Sequence, residues 1–510
     1  MIIPSRLRAL PVLLGAAAAI EGVVAAVTYN RLGLTLSHYD SRAHLVVARR
    51  VIDSITPGWQ QIGAVWLPLP HLLNLVPVQV DAWYRSGASA VAISICAFAV
   101  ATGALAWIVR SFNGSNAGAV AAAVVFATNP NLVYLQSTPM TEPLLLGLTT
   151  LGVAMLIAWC TGDADARLTS FDARLKLRAT SVPRIPDGAV GVVFALACLT
   201  RYEAWPVTAC ALAAAVWTRW RLGSSFERAV RDVGRIALYP AIAVAGFFVF
   251  SRVVIGQWWV GTGFFVPENK ALGQPALAAA EILWGTGELC ARGPVIISLI
   301  GLAILCVAGL VSSRRAHLLV ALSLTAAAAL PWAAFVQGHP FRIRYMVPLI
   351  AAEAIGAGAI VAALPPVGWA PVIAAVAIGS NVSQPFDTRA PMVVEAQWDA
   401  PNGPVRQQIT DRLRREYGGE KIMASMGSLG HYMQEASRDG FAIRDFLHEG
   451  NGDIWLAALD NPRPFAGWIL IEEKANGGDM LAQLVRRRPS FLDGYTRICD
   501  GAGLALYKRN

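Results

Sequence analysis

Between residues 9 and 382 the chain carries one apolar run after another, most of them about 20 residues long, which is the helix length that crosses a hydrocarbon core about 30 Å thick. Only 15% of the residues are charged, against about 25% in an average soluble protein, so a soluble fold is excluded. The expected fold is a polytopic α-helical membrane protein. From residue 383 the composition returns to that of a globular domain.

The short basic start, Met1 to Arg8, precedes a first span at 9–29. That span is too long for a cleaved signal peptide and carries Glu21, so it reads as a signal anchor with a cytoplasmic N-terminus. Further spans are expected near 88–109, 117–134, 141–160, 188–200, 204–218, 236–255, 293–311, 318–336, 346–363 and 368–382, the last two hinged at Pro365 and Pro366. The basic residues fall in alternate loops: Arg167, Arg174, Lys176, Arg178 and Arg184; then Arg219, Arg221, Arg228, Arg231 and Arg235; then Arg314 and Arg315. This is the positive-inside pattern, and it explains the formal net charge of +9 without a nucleic-acid partner. A count of about eleven spans puts the tail outside the cytoplasm. Two domains are therefore expected: a membrane domain at 1–382, with a first extracytoplasmic loop at 30–86, and a small extracytoplasmic α/β domain at 383–510. In the tail, apolar segments at 421–426, 467–471 and 504–507 read as strands and 480–487 as a helix.

Of the 7 cysteines, five lie within spans; Cys290 and Cys499 leave a disulfide open. The polar segment from His38 through Asp40, His44, Arg49 and Arg50 to Trp66 and His71 is the expected catalytic loop. Within it Leu45, Ala48, Ile52 and Ile55 follow a helical period, which predicts an amphipathic helix lying on the outer leaflet.

Charged groups in a bilayer cost free energy, so where they persist is informative. Here they gather at the outer ends of the spans: Asp40, Glu142 in Thr141-Glu142-Pro143, Arg201-Tyr202-Glu203, Lys270, and Arg342 and Arg344 before Tyr345. Together they are expected to ring one cavity. An enzyme acting on a polyprenyl-phosphate sugar needs apolar walls for the tail and cations at headgroup level, for which Arg201, Lys270, Arg342 and Arg344 are suited. Asp40 is the expected general base. His44, Arg49, His71, Glu142, Tyr202, Glu203 and Tyr345 complete the expected substrate-binding set.

Each of these residues also has a plain structural reading. Asp40 is a fitting helix cap, Glu142 with Pro143 a fitting helix start, and Arg201 with Glu203 a fitting ion pair. Arg342 and Arg344 suit interface anchoring. Trp258 and Trp259 read as interface anchors, with sugar stacking as the other reading, and Glu353 as a partner for an outer arginine. No particular cofactor is indicated; a divalent metal stays open but has no ligand spacing to support it, and no metal-ligating residues are assigned.

His38-Tyr39-Asp40, Thr141-Glu142-Pro143-Leu144, Arg201-Tyr202-Glu203 and Arg344-Tyr345, in that order and topology, resemble the GT-C superfamily of membrane glycosyltransferases, in the branch of protein O-mannosyltransferases and lipid A aminoarabinose transferases. The resemblance covers residues 9–382 and implies inverting transfer at the outer face from a polyprenyl-phosphate sugar to a lipid, glycan or protein acceptor, with Asp40 as base. Many relatives carry two adjacent acids in the first loop, whereas Ser41 follows Asp40 here. The alternatives are a transporter or flippase of lipid-linked saccharide, and an envelope scaffold whose tail is the working part.

Overall fold

The computed structural model describes residues 9–172, 185–258, 269–364 and 386–510. Among them six helices are long and apolar enough to cross a membrane: Leu10–Arg31, Ala88–Asn113, Glu142–Gly162, Phe226–Ile255, Arg292–Val311 and Leu318–Val336. Shorter apolar helices occupy Asn116–Ala127, Asp187–Cys198 and Leu349–Ala363. The chain is an integral membrane protein with a helical membrane part and a small C-terminal sheet. The expected span at 368–382, Pro365 and Pro366, Met1 to Arg8, Arg174 to Arg184 and Trp259 lie outside the described residues.

Two expectations about the spans and loops are corrected. The span read at 117–134 is broken: Asn116–Ala127 ends, Asn129 accepts from the backbone N–H groups of Asn131 (3.0 Å) and Leu132 (3.4 Å), and Pro130 starts a new helix, Pro130–Leu135. A capping asparagine followed by proline at the first helical position is a strong local start signal inside an apolar run. Arg228, Arg231 and Arg235 do not lie in a loop but on the first turns of the 30-residue helix Phe226–Ile255. The segment between the spans at 236–255 and 293–311 holds a further helix, Pro275–Cys290.

Contacts divide the chain into two compact units: residues 1–28, 93–137 and 141–393, and residues 29–92, 138–140 and 394–510. In the first, Leu349–Ala363 packs at backbone distance on two neighbours. A Cβ on Gly356 would collide with the Ser298 carbonyl, and one on Gly118 would stand 2.7 Å from the Gly358 carbonyl oxygen. Small residues that let helix backbones touch are how helices associate in lipid, where burial of apolar surface gives no driving force. Arg221 donates to the carbonyls of Leu310 (3.1 Å) and Val311 (3.3 Å) and to Ser313 Oγ (3.2 Å), which brings the second basic cluster beside Arg314 and Arg315. Glu353 has the Cys290 thiol as its hydrogen-bond partner and not an outer arginine.

In the second unit, strands β1 (Ile422–Ala424), β2 (Phe446–Leu447), β3 (Trp468–Glu472), β4 (Tyr495–Gly501) and β5 (Leu504–Arg509) form one sheet in the order β2-β1-β3-β5-β4. The first three are parallel, and β5 joins β3 and β4 antiparallel. Alternate residues go to opposite faces. Ile422, Trp468, Leu470 and Leu506 meet Leu45, Val46, Leu429 and Tyr432, while Met423, Ile469, Ile471 and Tyr507 meet Trp455, Leu481 and Phe491. The helix Tyr39–Arg49 thus belongs to the core of this unit. Leu45 and Ala48 are buried there against protein, and Ile52 is exposed, so the stripe read as membrane-facing is a packing face. All seven cysteines are free, including Cys290 and Cys499.

Candidate functional site

The first unit holds a closed charge cluster. Glu142 starts the helix Glu142–Asp172, and Arg201 and Glu203 sit in the link between Asp187–Cys198 and Ala204–Arg221. Arg201 Nη1 donates to Glu142 Oε1 (2.9 Å) and Thr141 Oγ1 (3.1 Å), and Nη2 donates to Glu203 Oε1 (2.8 Å). Both carboxylates are buried, at 0% and 4% exposure, and the guanidinium between them is half-buried. Tyr202 packs edge-on against Trp205, ring centroids 5.2 Å apart.

The loop before Leu349–Ala363 presents Arg342, Arg344 and Tyr345, all half-buried. Arg344 lies over the Tyr345 ring (5.6 Å), the Tyr345 hydroxyl stands 3.4 Å from His339 Nε2, and Arg344 acts electrostatically on Arg201. Lys270 is exposed; Glu281 is the carboxylate within its field.

In the second unit Asp40 occupies the first turn of Tyr39–Arg49 and is 6% exposed. It is not the cap: His38 is, its Nδ1 accepting from the Asp40 backbone N–H at 3.0 Å. The first turn still favours an ionised carboxylate through the helix dipole. In the same unit Arg42 and buried Arg406 share half-buried Glu435, and Arg406 also donates to Asp399 at 2.7 Å. His431, whose field includes Asp399 and Asp40, is pushed down to about 4 by burial and by Arg406.

His44 Nδ1 and His71 Nε2 are 3.1 Å apart, and Trp66 packs on His44 with ring centroids 4.1 Å apart. Burial, then His44 and Arg50, hold His71 well below its ordinary value, so its imidazole is neutral. Arg49 is fully engaged: it donates to Asp53 (3.0 Å), Asp81 (2.6 Å) and the Val78 carbonyl (3.1 Å) and covers the Tyr84 ring. Among the described residues no three His, Cys, Asp or Glu side chains converge as a metal-ligand set.

No protein-family model matches the sequence, and no curated protein matches it. The fold does match solved structures. ArnT from Cupriavidus metallidurans bound to undecaprenyl phosphate superposes over 97% of this chain and 97% of its own, with a TM-score of 0.57 at 13% identity. This chain has the GT-C fold. A second GT-C structure, the archaeal oligosaccharyltransferase AglB from Archaeoglobus fulgidus in complex with an inhibitory peptide and a dolichol-phosphate, matches over 91% of this chain and 69% of its own, with a TM-score of 0.52 at 11% identity.

His38 and Arg42 lie in the expected catalytic loop but were given no role of their own, and His431, Glu435 and Arg406 were not singled out. The partners of Arg42 and His38 are 393 and 357 positions away, and no local pattern announces them. The sequence reading also chose Arg49 over Arg50, which by sequence are the same residue twice.

Proposed function

We propose that this chain is an integral membrane glycosyltransferase that moves a sugar from a polyprenyl-phosphate donor to an acceptor hydroxyl, with inversion. The supporting observation is the match over 97% of both chains to a GT-C structure crystallised with undecaprenyl phosphate. The proposed topology places the N-terminus in the cytoplasm and the first loop and the C-terminal domain outside.

In this mechanism the acceptor oxygen attacks the anomeric carbon from the face opposite the phosphate. The bond from that carbon to the phosphate oxygen breaks, its electron pair leaving with the phosphate. Asp40 takes the acceptor proton, and its first-turn position keeps it ionised for that task. Lys270, Arg342 and Arg344 bind the departing phosphate, Arg bidentately and Lys as a point charge. Arg201 is a positioning residue in this reading, because its hydrogen bonds go to Thr141, Glu142 and Glu203. His44, His71, Tyr202 and Tyr345 orient the substrates.

The test is transfer of radiolabelled sugar from polyprenyl-phosphate monosaccharides by purified protein in detergent. Asp40→Asn is expected to lower turnover by about 10²- to 10⁴-fold with donor binding retained. A native chain that binds the lipid-linked sugar, never cleaves it and carries it across proteoliposomes is a transporter, and the proposal fails.

A further inference from the structure

We propose that Arg50, His448 and Gln61 form a binding site for a protonated phosphoryl group, separate from the groups assigned to transfer. Arg50 donates through Nε to the Gln61 carbonyl and through Nη1 to Met426 Sδ, and among the described residues no carboxylate stands within ion-pair distance of it. Its neighbour Arg49 has two. A guanidinium carries five N–H donors and no acceptor, so most of its capacity at Arg50 is unused.

His448 adds a donor of the same kind. Its Nδ1 accepts from the Gly450 backbone N–H at 3.1 Å, which leaves the ring proton on Nε2. That atom is buried and has no acceptor among the described residues, and the residue is 0% exposed. Burial and then the field of Arg50 push His448 down to about 3, so at neutral pH it is an uncharged donor. An unmet buried donor carries a desolvation cost, which a bound oxyanion offsets.

Gln61 supplies the complementary acceptor. Its amide nitrogen donates to the carbonyls of Thr56 (2.7 Å) and Gly450 (2.8 Å), which fixes the amide orientation. The opposite atom, Oε1, is buried without a donor. Oε1 and the His448 ring pack on the same residue: a Cβ on Gly450 would meet Oε1 at 2.6 Å and His448 Cε1 at 2.9 Å. Several donors with one acceptor match hydrogen phosphate or a singly protonated phosphate monoester, whose hydroxyl can serve Oε1. Sulfate, fully ionised, has no hydrogen to give it. Half-buried Gly63 and Trp66 lie on the same stretch of chain.

The source is free phosphate or a phosphate-monoester lipid headgroup, and the experiment separates them. Full-length protein in detergent is titrated with inorganic phosphate, and with sulfate at equal ionic strength, reading Tm; in parallel it is placed in phosphatidylcholine nanodiscs with and without phosphatidate. Phosphate, phosphatidate or both are expected to raise Tm where sulfate does not, and amide exchange in the native chain is expected to slow at 58–63 and 448–452. Arg50→Gln, and His448→Asn, whose Oδ1 can still accept the Gly450 N–H, are expected to weaken the response roughly tenfold. A response to phosphatidate alone assigns a lipid headgroup, and one to phosphate alone a soluble ligand. Native protein whose two segments are unprotected by either probe, or variants that respond as the native chain does, would overturn the site. The readout is independent of sugar transfer, so it stands or falls apart from the glycosyltransferase reading.

Discussion

Arg201 in the membrane unit and Arg50 in the C-terminal unit are both largely removed from water, and they are handled in opposite ways. Arg201 is held by two buried carboxylates and a threonine hydroxyl. Arg50 rests on one carbonyl and one thioether, and burial, opposed by Glu449, lowers its pKa to about 10. In the first arrangement every guanidinium nitrogen has an acceptor, and removing the arginine strands two carboxylates. The second leaves donors unmet, which is how a ligand site differs from a structural ion pair. Sequence reading cannot make this distinction, because it sees the cation and not what surrounds it.

The same substitution at both positions tests the contrast. Arg201→Met leaves Glu142 and Glu203 buried beside each other without a cation, and is expected to destabilise the protein by about 3–5 kcal/mol. Adding Glu142→Gln and Glu203→Gln is expected to recover most of that loss. Arg50→Met strands no carboxylate, since Glu449 still accepts from Ser425 and from the Met426 N–H at 2.7 Å. Its stability is expected to stay within about 1 kcal/mol of the native chain. Reversible unfolding in detergent reads all three. A triple variant no more stable than Arg201→Met would break the account of the membrane cluster, and a large loss at Arg50 would make that residue a structural pin.

Much of the fold was readable because bilayer thickness and helix rise set a length that composition reveals directly. The first span, the spans beginning at 88 and 141, and the helix Met480–Arg487 fall where periodicity puts them. Strands β1, β3 and β5 lie within or beside the three apolar segments expected for them. The break at Asn129 and Pro130 was hidden by its hydrophobic surroundings, and the arginines of Phe226–Ile255 looked like a loop because a helix can continue past the apolar run that identifies it. Most of all, the first loop and the C-terminal sheet share one core. Gln61 donates to Gly450, and Asn451 to Ser54 at 3.2 Å, across nearly four hundred positions. The Arg201–Glu203 pair could be read from adjacency, but Glu142 as its third member could not.

The pH dependence of stability sharpens the Arg50 side of the comparison. His448, His431 and His71 all have folded values below the ordinary 6.5, His448 at about 3 and His431 at about 4. Between those values and 6.5 the unfolded chain binds protons that the folded chain refuses. Stability therefore falls as the pH drops below 6.5, by up to about 1.4 kcal/mol per pH unit for each histidine, and is unaffected by them above it. Asp479 acts in the opposite sense: burial raises it from 3.8 to about 6, so the folded carboxyl holds a proton the unfolded one has lost, and stability rises as the pH falls through that interval. Unfolding of native protein and His448→Asn between pH 7 and 5 separates these contributions, with about one proton less in the slope of the variant as the expected result. Arg50→Met should shift the native slope in the same direction but by less, because burial, the larger cause of the His448 depression, remains when the guanidinium is gone. Equal slopes in native protein and His448→Asn would mean that His448 already carries its proton in the fold, and the uncharged donor assigned to the phosphoryl site would be lost with it.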